Sequence, residues 1–162
     1  MNRNIFDRNL RFFQSNQAAY NCLQFAYKAL PLLMFIAYPA LLIYAFFALR
    51  ESLVRMILVP FGIFVLVTAL RILINEKRPY EKYGKPSVFH KQTKGKSFPS
   101  RHTASTFIIA MVFLYVSVPL GIAALAISVL IALSRICAGA HYVHDVLAGM
   151  AISIAAGIVF LY

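Results

Sequence analysis

The sequence predicts an all-α fold: one integral membrane helical bundle with about five transmembrane helices. Three observations carry that prediction. The 162-residue chain is 61% hydrophobic, with a mean hydropathy of +0.74, well above the roughly 45–50% apolar content of soluble domains. That excess is gathered into long uncharged runs rather than scattered as core positions. Beyond residue 28, the runs are interrupted by one long polar stretch, residues 75–102, and one short polar patch, residues 135–145.

Residues 1–28 mix Phe12, Phe13, Tyr20, Leu23, Phe25 and Tyr27 with Gln14, Asn16, Gln17, Asn21 and Gln24. This pattern suits an N-terminal interfacial helix, with a sixth span as the alternative. No compact apolar core follows a basic start, so the segment lacks a signal-peptide layout. The first span runs from Ala29 to Leu49, uncharged between Lys28 and Arg50. The second runs from Leu53 to about Ile74, with Arg55 and Arg71 near its ends. Thr103 to Ser134 is about 32 residues without a charge, too long for one span and slightly short for two. Pro119-Leu120-Gly121 predicts the break of a two-helix hairpin there. The last span runs from Val146 to Tyr162, where Gly149, Ser153 and Gly157 form a small-residue stripe that lets another helix approach. Nothing divides the chain, so residues 1–162 read as one domain with a long polar loop at 75–102.

A net charge of +11 fits nucleic acid, anionic lipid or a phosphorylated substrate as partner. The spans argue against nucleic acid and leave membrane lipids and a lipid phosphate. Cys22 and Cys137 have no metal or redox spacing and read as packing residues.

Crossing the bilayer twice between the polar stretches returns the chain to the same face, so they can meet. They bring Arg78, Ser100, Arg101, His102, Arg135, His141 and Asp145 together with Arg71. Arginines facing histidines suggest an oxyanion site, because guanidinium forks match phosphate oxygens. Arg71 alone reads as a snorkelling arginine. On a continuing helix, however, Arg78 is two turns further along the same face, and Pro79 ends that helix. Ser100 reads equally as an N-cap and as part of a phosphate site at a helix N-terminus; the two roles are compatible. His141 and Asp145 are one helical turn apart, so the carboxylate can hold one ring nitrogen and free the other to attack. Alone, that pair is weak evidence against chance pairing at a helix start. His90 and His144 read as exposed or interfacial, and Lys77, Lys82, Lys85, Lys91, Lys94 and Lys96 as a solvated basic loop that also attracts anionic lipid.

Only five acidic residues are present: Asp7, Glu51, Glu76, Glu81 and Asp145. A two-metal phosphatase needs several clustered ligands, so no metal and no cofactor is expected. Neither cysteine is followed by arginine at the spacing of a cysteine phosphatase loop, and no Gly-rich nucleotide loop is present. If phosphate is transferred, histidine is the best remaining nucleophile.

The residues resemble the type 2 phosphatidic acid phosphatase superfamily, which shares a helical core with vanadium haloperoxidases. Arg71-Ile-Leu-Ile-Asn-Glu-Lys-Arg78-Pro79 is similar to its first motif, with arginine in place of lysine. Pro99-Ser100-Arg101-His102 matches the second except that Arg101 replaces glycine. Ser134-Arg135, His141 and Asp145 match the third in full. The resemblance covers about residues 71–145. It implies that His141 attacks phosphorus, Asp145 orients it, and His102 protonates the leaving alkoxide and later activates water. It further implies that Arg71, Arg78, Ser100 and Arg135 cradle the phosphate, with Arg101 contacting a phosphate group or pointing to water. The implied activity is metal-independent hydrolysis of phosphatidic acid, phosphatidylglycerol phosphate or a polyprenyl diphosphate. A phosphotransferase of the same fold and a non-enzymatic anionic-lipid binder are the alternatives; the latter gives no reason for the spacing of His102, His141 and Asp145. All Lys and Arg but Arg50 and Arg55, fourteen of sixteen, fall on the active-site face. The positive-inside rule makes that face cytoplasmic, whereas the resemblance implies an extracytoplasmic site in the cell membrane.

Overall fold

A computed structural model describes residues 2–162, which form eight α-helices and, among the described residues, no strand. Asn2 starts α1 (Arg3–Ser15) by accepting a 3.0 Å hydrogen bond from Ile5 N. Thirteen residues rise only about 20 Å, too little to cross a hydrocarbon core of about 30 Å. Instead α1 lies over the polar loop. Its buried Phe6 meets the Tyr83 ring at 5.4 Å, and Asp7 pairs with Lys85 at 2.9 Å.

Asn16 ends α1 and caps α2 (Gln17–Gln24), accepting from Ala19 N at 3.0 Å. α2 continues through one π-helical turn, Phe25–Ala29, into α3 (Leu30–Ala48). Residues 17–48 therefore form one apolar helical segment of 32 residues. The division expected at residue 28 falls at Asn16, where a side chain satisfies the helix end. Lys28 reaches over the Phe89 ring at 5.9 Å and leaves the helix unbroken.

α4 (Arg50–Ile74) stops at Asn75, whose left-handed φ of 44° turns the chain. The helix thus does not continue from Arg71 to Arg78. Pro79 does not end a helix either; it opens the short α5 (Pro79–Tyr83), where its missing N–H costs nothing. The loop after α5 leads into α6 (Arg101–Val116), α7 (Val118–Cys137) and α8 (Val143–Leu161). The hairpin break sits at extended Ser117, ahead of the expected Pro119-Leu120-Gly121, because proline is accommodated in the first turn of α7.

α6 is the central helix, packed against α3, α4, α7 and α8. Residues 106–112 along it are all buried, as expected of a helix that is apolar around its circumference. Four helical segments are long and apolar enough to cross a membrane, and α6 is a shorter apolar helix among them. Large apolar side chains face outward along the spans, including Phe47, Phe61, Leu73, Ile122 and Val159, as a lipid-facing surface requires. Gly149, Ser153 and Gly157 of α8 face α6. Ser153 Oγ donates to Ala104 O at 2.8 Å, and a Cβ on Gly149 would stand 2.8 Å from Ser100 O. That close approach draws the first turns of α6 and α8 together: Ser100 N donates to Asp145 O at 2.9 Å.

Candidate active site

The site gathers where α4, α6, α7 and α8 end on the loop side. His141 precedes α8 in the turn after α7 and is 2% exposed. Arg78 Nη1 lies 3.3 Å from its Nε2. A guanidinium has donors only, so Nε2 must accept, and the ring proton belongs on Nδ1. Asp145 Oδ2 stands 3.2 Å from that Nδ1 and takes the bond. The same oxygen accepts from Ser97 Oγ at 2.5 Å and Tyr142 N at 3.0 Å. Burial pushes the His141 imidazole down to about 4, outweighing the Asp145 hydrogen bond that raises it. At neutral pH the ring is therefore uncharged, with a lone pair at Nε2.

Arg78 is held by three carbonyls: Nε donates to Gly95 O at 3.0 Å, Nη1 to Ala140 O at 3.2 Å and Nη2 to Lys96 O at 3.4 Å. Arg71 Nη1 donates to Pro99 O at 2.8 Å and Ser97 O at 3.4 Å. The two arginines reach the same polar cluster from separate elements rather than along one helix face. Arg71 ties α4 to the strap before α6; Arg78 ties the loop to His141. Ser100 is the buried residue ahead of α6, but it makes no side-chain cap bond. Its Oγ accepts from Thr103 Oγ1 at 3.0 Å.

Arg135, on the last turn of α7, lies 3.8 Å over the Tyr27 ring and donates from Nη2 to Tyr27 O at 2.9 Å. Its Nε is buried without a partner. A buried guanidinium donor left unmade is costly, and an anion in the adjoining cleft would satisfy it. That cleft, of about 480 Å³, is lined by His102, Arg135, Lys91, Tyr27, Lys28 and apolar residues of α3. His102 also opens on a second cleft of about 250 Å³ with Arg101, Phe35, Phe64 and Ser105. Arg101 is exposed, its guanidinium 5.5 Å over the Phe64 ring.

Lys91 is a residue that the sequence misplaces. It does not belong to the solvated loop but to the cleft wall beside His102 and Arg135. Burial, with Arg78 and Arg135 adding repulsion, pulls its ammonium down to about 8. Ser97 was also missed; no motif marks a serine whose partner lies 48 residues away. Tyr27 joins them, from the segment read as interfacial. His90 and His144 are exposed, but Glu76, His144 and Asp145 bring possible metal-ligand atoms within 4.8 Å of one another.

A model of the PAP2 superfamily matches residues 52–162. The crystal structure of LpxE from Aquifex aeolicus is similar over 94% of this chain and 93% of that one, with 29% identity and a TM-score of 0.73. A PAP2-type phosphatidylglycerolphosphate phosphatase from Bacillus subtilis shares the fold over 98% of this chain and 85% of that one, at 20% identity and a TM-score of 0.60. No curated protein sequence matches the chain.

Proposed function

Because the chain belongs to the PAP2 superfamily, we propose that it is a membrane phosphatase that hydrolyses a lipid phosphomonoester or diphosphate through phosphorylated His141. The observation that carries the reading is the placement of His141. Its Nδ1–H is held by Asp145, and its Nε2 lone pair sits beside Arg78 in a buried polar site. A base-oriented nucleophile beside preorganised donors is the arrangement covalent phosphoryl transfer needs.

In this mechanism Nε2 attacks phosphorus, the P–N bond forms and the P–O bond to the lipid alkoxide breaks. His102 gives that oxygen a proton. Water then attacks the phosphohistidine, His102 takes the water's proton, and inorganic phosphate leaves with His141 regenerated. Arg71, Arg78, Arg135 and Ser100 cradle the phosphate, Lys91 adds a cation at the cleft, and Arg101 faces the second opening beside His102. No step calls for a metal ion. The apolar rim of the cleft, with Pro31, Leu32, Phe35 and Phe89 beside the cations, suits a substrate carrying a lipid tail next to its phosphate.

The site is read as extracytoplasmic in the cell membrane. Five cations on its face, Arg71, Arg78, Lys91, Arg101 and Arg135, serve the phosphate site and need not report topology.

The test is phosphate release by purified protein in detergent from phosphatidic acid, phosphatidylglycerol phosphate and a polyprenyl diphosphate, with product analysis for transfer to other acceptors. Release of inorganic phosphate with a His141 adduct trapped by acid quench is expected. Phosphate appearing only on a second lipid or sugar would make the enzyme a phosphotransferase.

A further inference from the structure

Two side chains beside the proposed nucleophile, Glu76 and His144, are unused by the chemistry above. His144 Nε2 lies 3.2 Å and 3.3 Å from the two carboxylate oxygens of Glu76, and 3.0 Å from Asp145 Oδ1. One ring nitrogen carries at most one proton, and here it is shared between the two Glu76 oxygens. Asp145 Oδ1 is the one left without a bond, despite an Asp145 side chain that is 0% exposed. Its sister oxygen already accepts from Ser97, Tyr142 and His141. A buried carboxylate oxygen that makes no hydrogen bond, with a ring nitrogen 3.0 Å away and a second carboxylate beyond it, is expensive unless a cation takes its lone pair.

We infer that Glu76, His144 and Asp145 form a binding site for one divalent transition-metal cation of the zinc class, and that filling it inhibits the enzyme through Asp145. Metal–ligand distances of about 2.0–2.2 Å in a tetrahedron place neighbouring ligand atoms about 3.3 Å apart. The separations of His144 Nε2 from Glu76 and Asp145 are already close to this. The candidate ligand atoms span at most 4.8 Å, and the partly exposed Glu76 side chain is free to swing in and close the remaining gap. The His144 ring is fixed by stacking on Tyr142 at 5.2 Å and by Phe98 at 5.8 Å, so its nitrogen is presented in one orientation. An imidazole with two carboxylates favours zinc over magnesium or calcium, which prefer oxygen-only sets. The exposed side of His144 leaves a coordination position to water.

The link to turnover runs through one carboxylate. A cation on Oδ1 withdraws electron density from Oδ2, which holds His141 Nδ1–H, and weakens the bond that orients the attacking ring. This half of the inference rests on the proposed role of His141; the binding half does not.

The test uses the full chain, purified in detergent and stripped with chelator. Cobalt(II) is titrated by visible absorption and zinc by calorimetry, in the parent, Glu76→Gln and His144→Ala. Phosphate release is measured with and without zinc. One ion per chain is expected, with at least tenfold weaker binding in each variant. Zinc should inhibit the parent and leave both variants active. Absence of a one-to-one cobalt or zinc signal in the parent overturns the site, as does undiminished binding in both variants. Zinc binding that leaves turnover unchanged, or equal inhibition of parent and His144→Ala, overturns the link to Asp145. A parent that binds zinc but releases no phosphate from any substrate overturns the phosphatase reading and leaves the site standing.

Discussion

His141 and His102 are asked for different chemistry, and substitution separates them. His141→Ala should abolish turnover on every substrate, because no covalent intermediate forms. General acid help is worth about 10²–10⁴ in rate, and an aryl phosphate, whose phenolate leaves easily, needs little of it. His102→Ala should therefore keep more relative activity on an aryl phosphate than on a lipid phosphate, and accumulate phosphorylated His141. Acid-quenched mass spectrometry on both variants checks this; an active His141→Ala beside a His102→Ala that is dead on both substrates would reverse the roles. Ser97→Ala removes a 2.5 Å charge-assisted bond to Asp145, worth about 1.5–3 kcal/mol. A kcat roughly tenfold or more below the parent, with KM little changed, is expected from its steady-state kinetics.

Lys91 supplies the pH dependence. Its ammonium, pulled down to about 8 by burial and the neighbouring arginines, is charged below that pH and neutral above it. KM for a lipid phosphate should stay flat below about pH 8 and rise beyond it, as the cleft loses a cation. Lys91→Arg, whose guanidinium keeps its charge, should hold the low KM at higher pH. A KM profile identical in parent and Lys91→Arg would remove Lys91 from substrate binding.

At the scale of elements, Gly149 decides whether α8 can seat His141 and Asp145 against α6. A Cβ there would stand 2.8 Å from Ser100 O and 3.3 Å from Ala104 N, both backbone atoms that cannot rotate away. Gly149→Val should cost about 1–3 kcal/mol and lower kcat in the fraction that stays folded. At Gly157, deeper along the same helix, the nearest atoms a Cβ would meet belong to the flexible Met111 side chain. Gly157→Ala should lower thermal stability in detergent while leaving kcat near the parent value. Equal losses of kcat in the two variants would show that the stripe stabilises the bundle without positioning the site. The stripe was legible in the sequence because small residues at helical spacing have a direct packing consequence. The ends of α4 and α5 were not. A proline reads equally as stop or start, and the left-handed turn at Asn75 is supported from afar, by Lys96 N donating to Asn75 Oδ1 at 3.2 Å. Lys91, Ser97 and Tyr27 escaped for the same reason: their partners lie across the fold, where local pattern carries no signal.

For the whole molecule, topology was legible because span length is set by the bilayer, and the two polar stretches had to return to one face. The structure adds the contacts that hold the N-terminal helix at that face. Phe6 packs on Tyr83, Asp7 pairs with Lys85, and Arg135 is held by Tyr27. Arg50 and Arg55, at the start of α4, lie at the far ends of the spans. Single cysteines placed in a chain whose Cys22 and Cys137 are replaced by alanine can read this directly. Asn9→Cys and Lys94→Cys should react with an impermeant thiol reagent from the same side of a sealed vesicle, and Glu51→Cys from the other. The N-terminal segment would then serve as one wall of the site, because Tyr27 and Lys28 line the cleft that contains His102. Labelling of Asn9→Cys together with Glu51→Cys, and not with Lys94→Cys, would put α1 on the wrong face and detach Tyr27 from Arg135. In that case the guanidinium would lose both its stacking surface and its carbonyl partner, and the cleft would lose the wall that shapes it for a lipid.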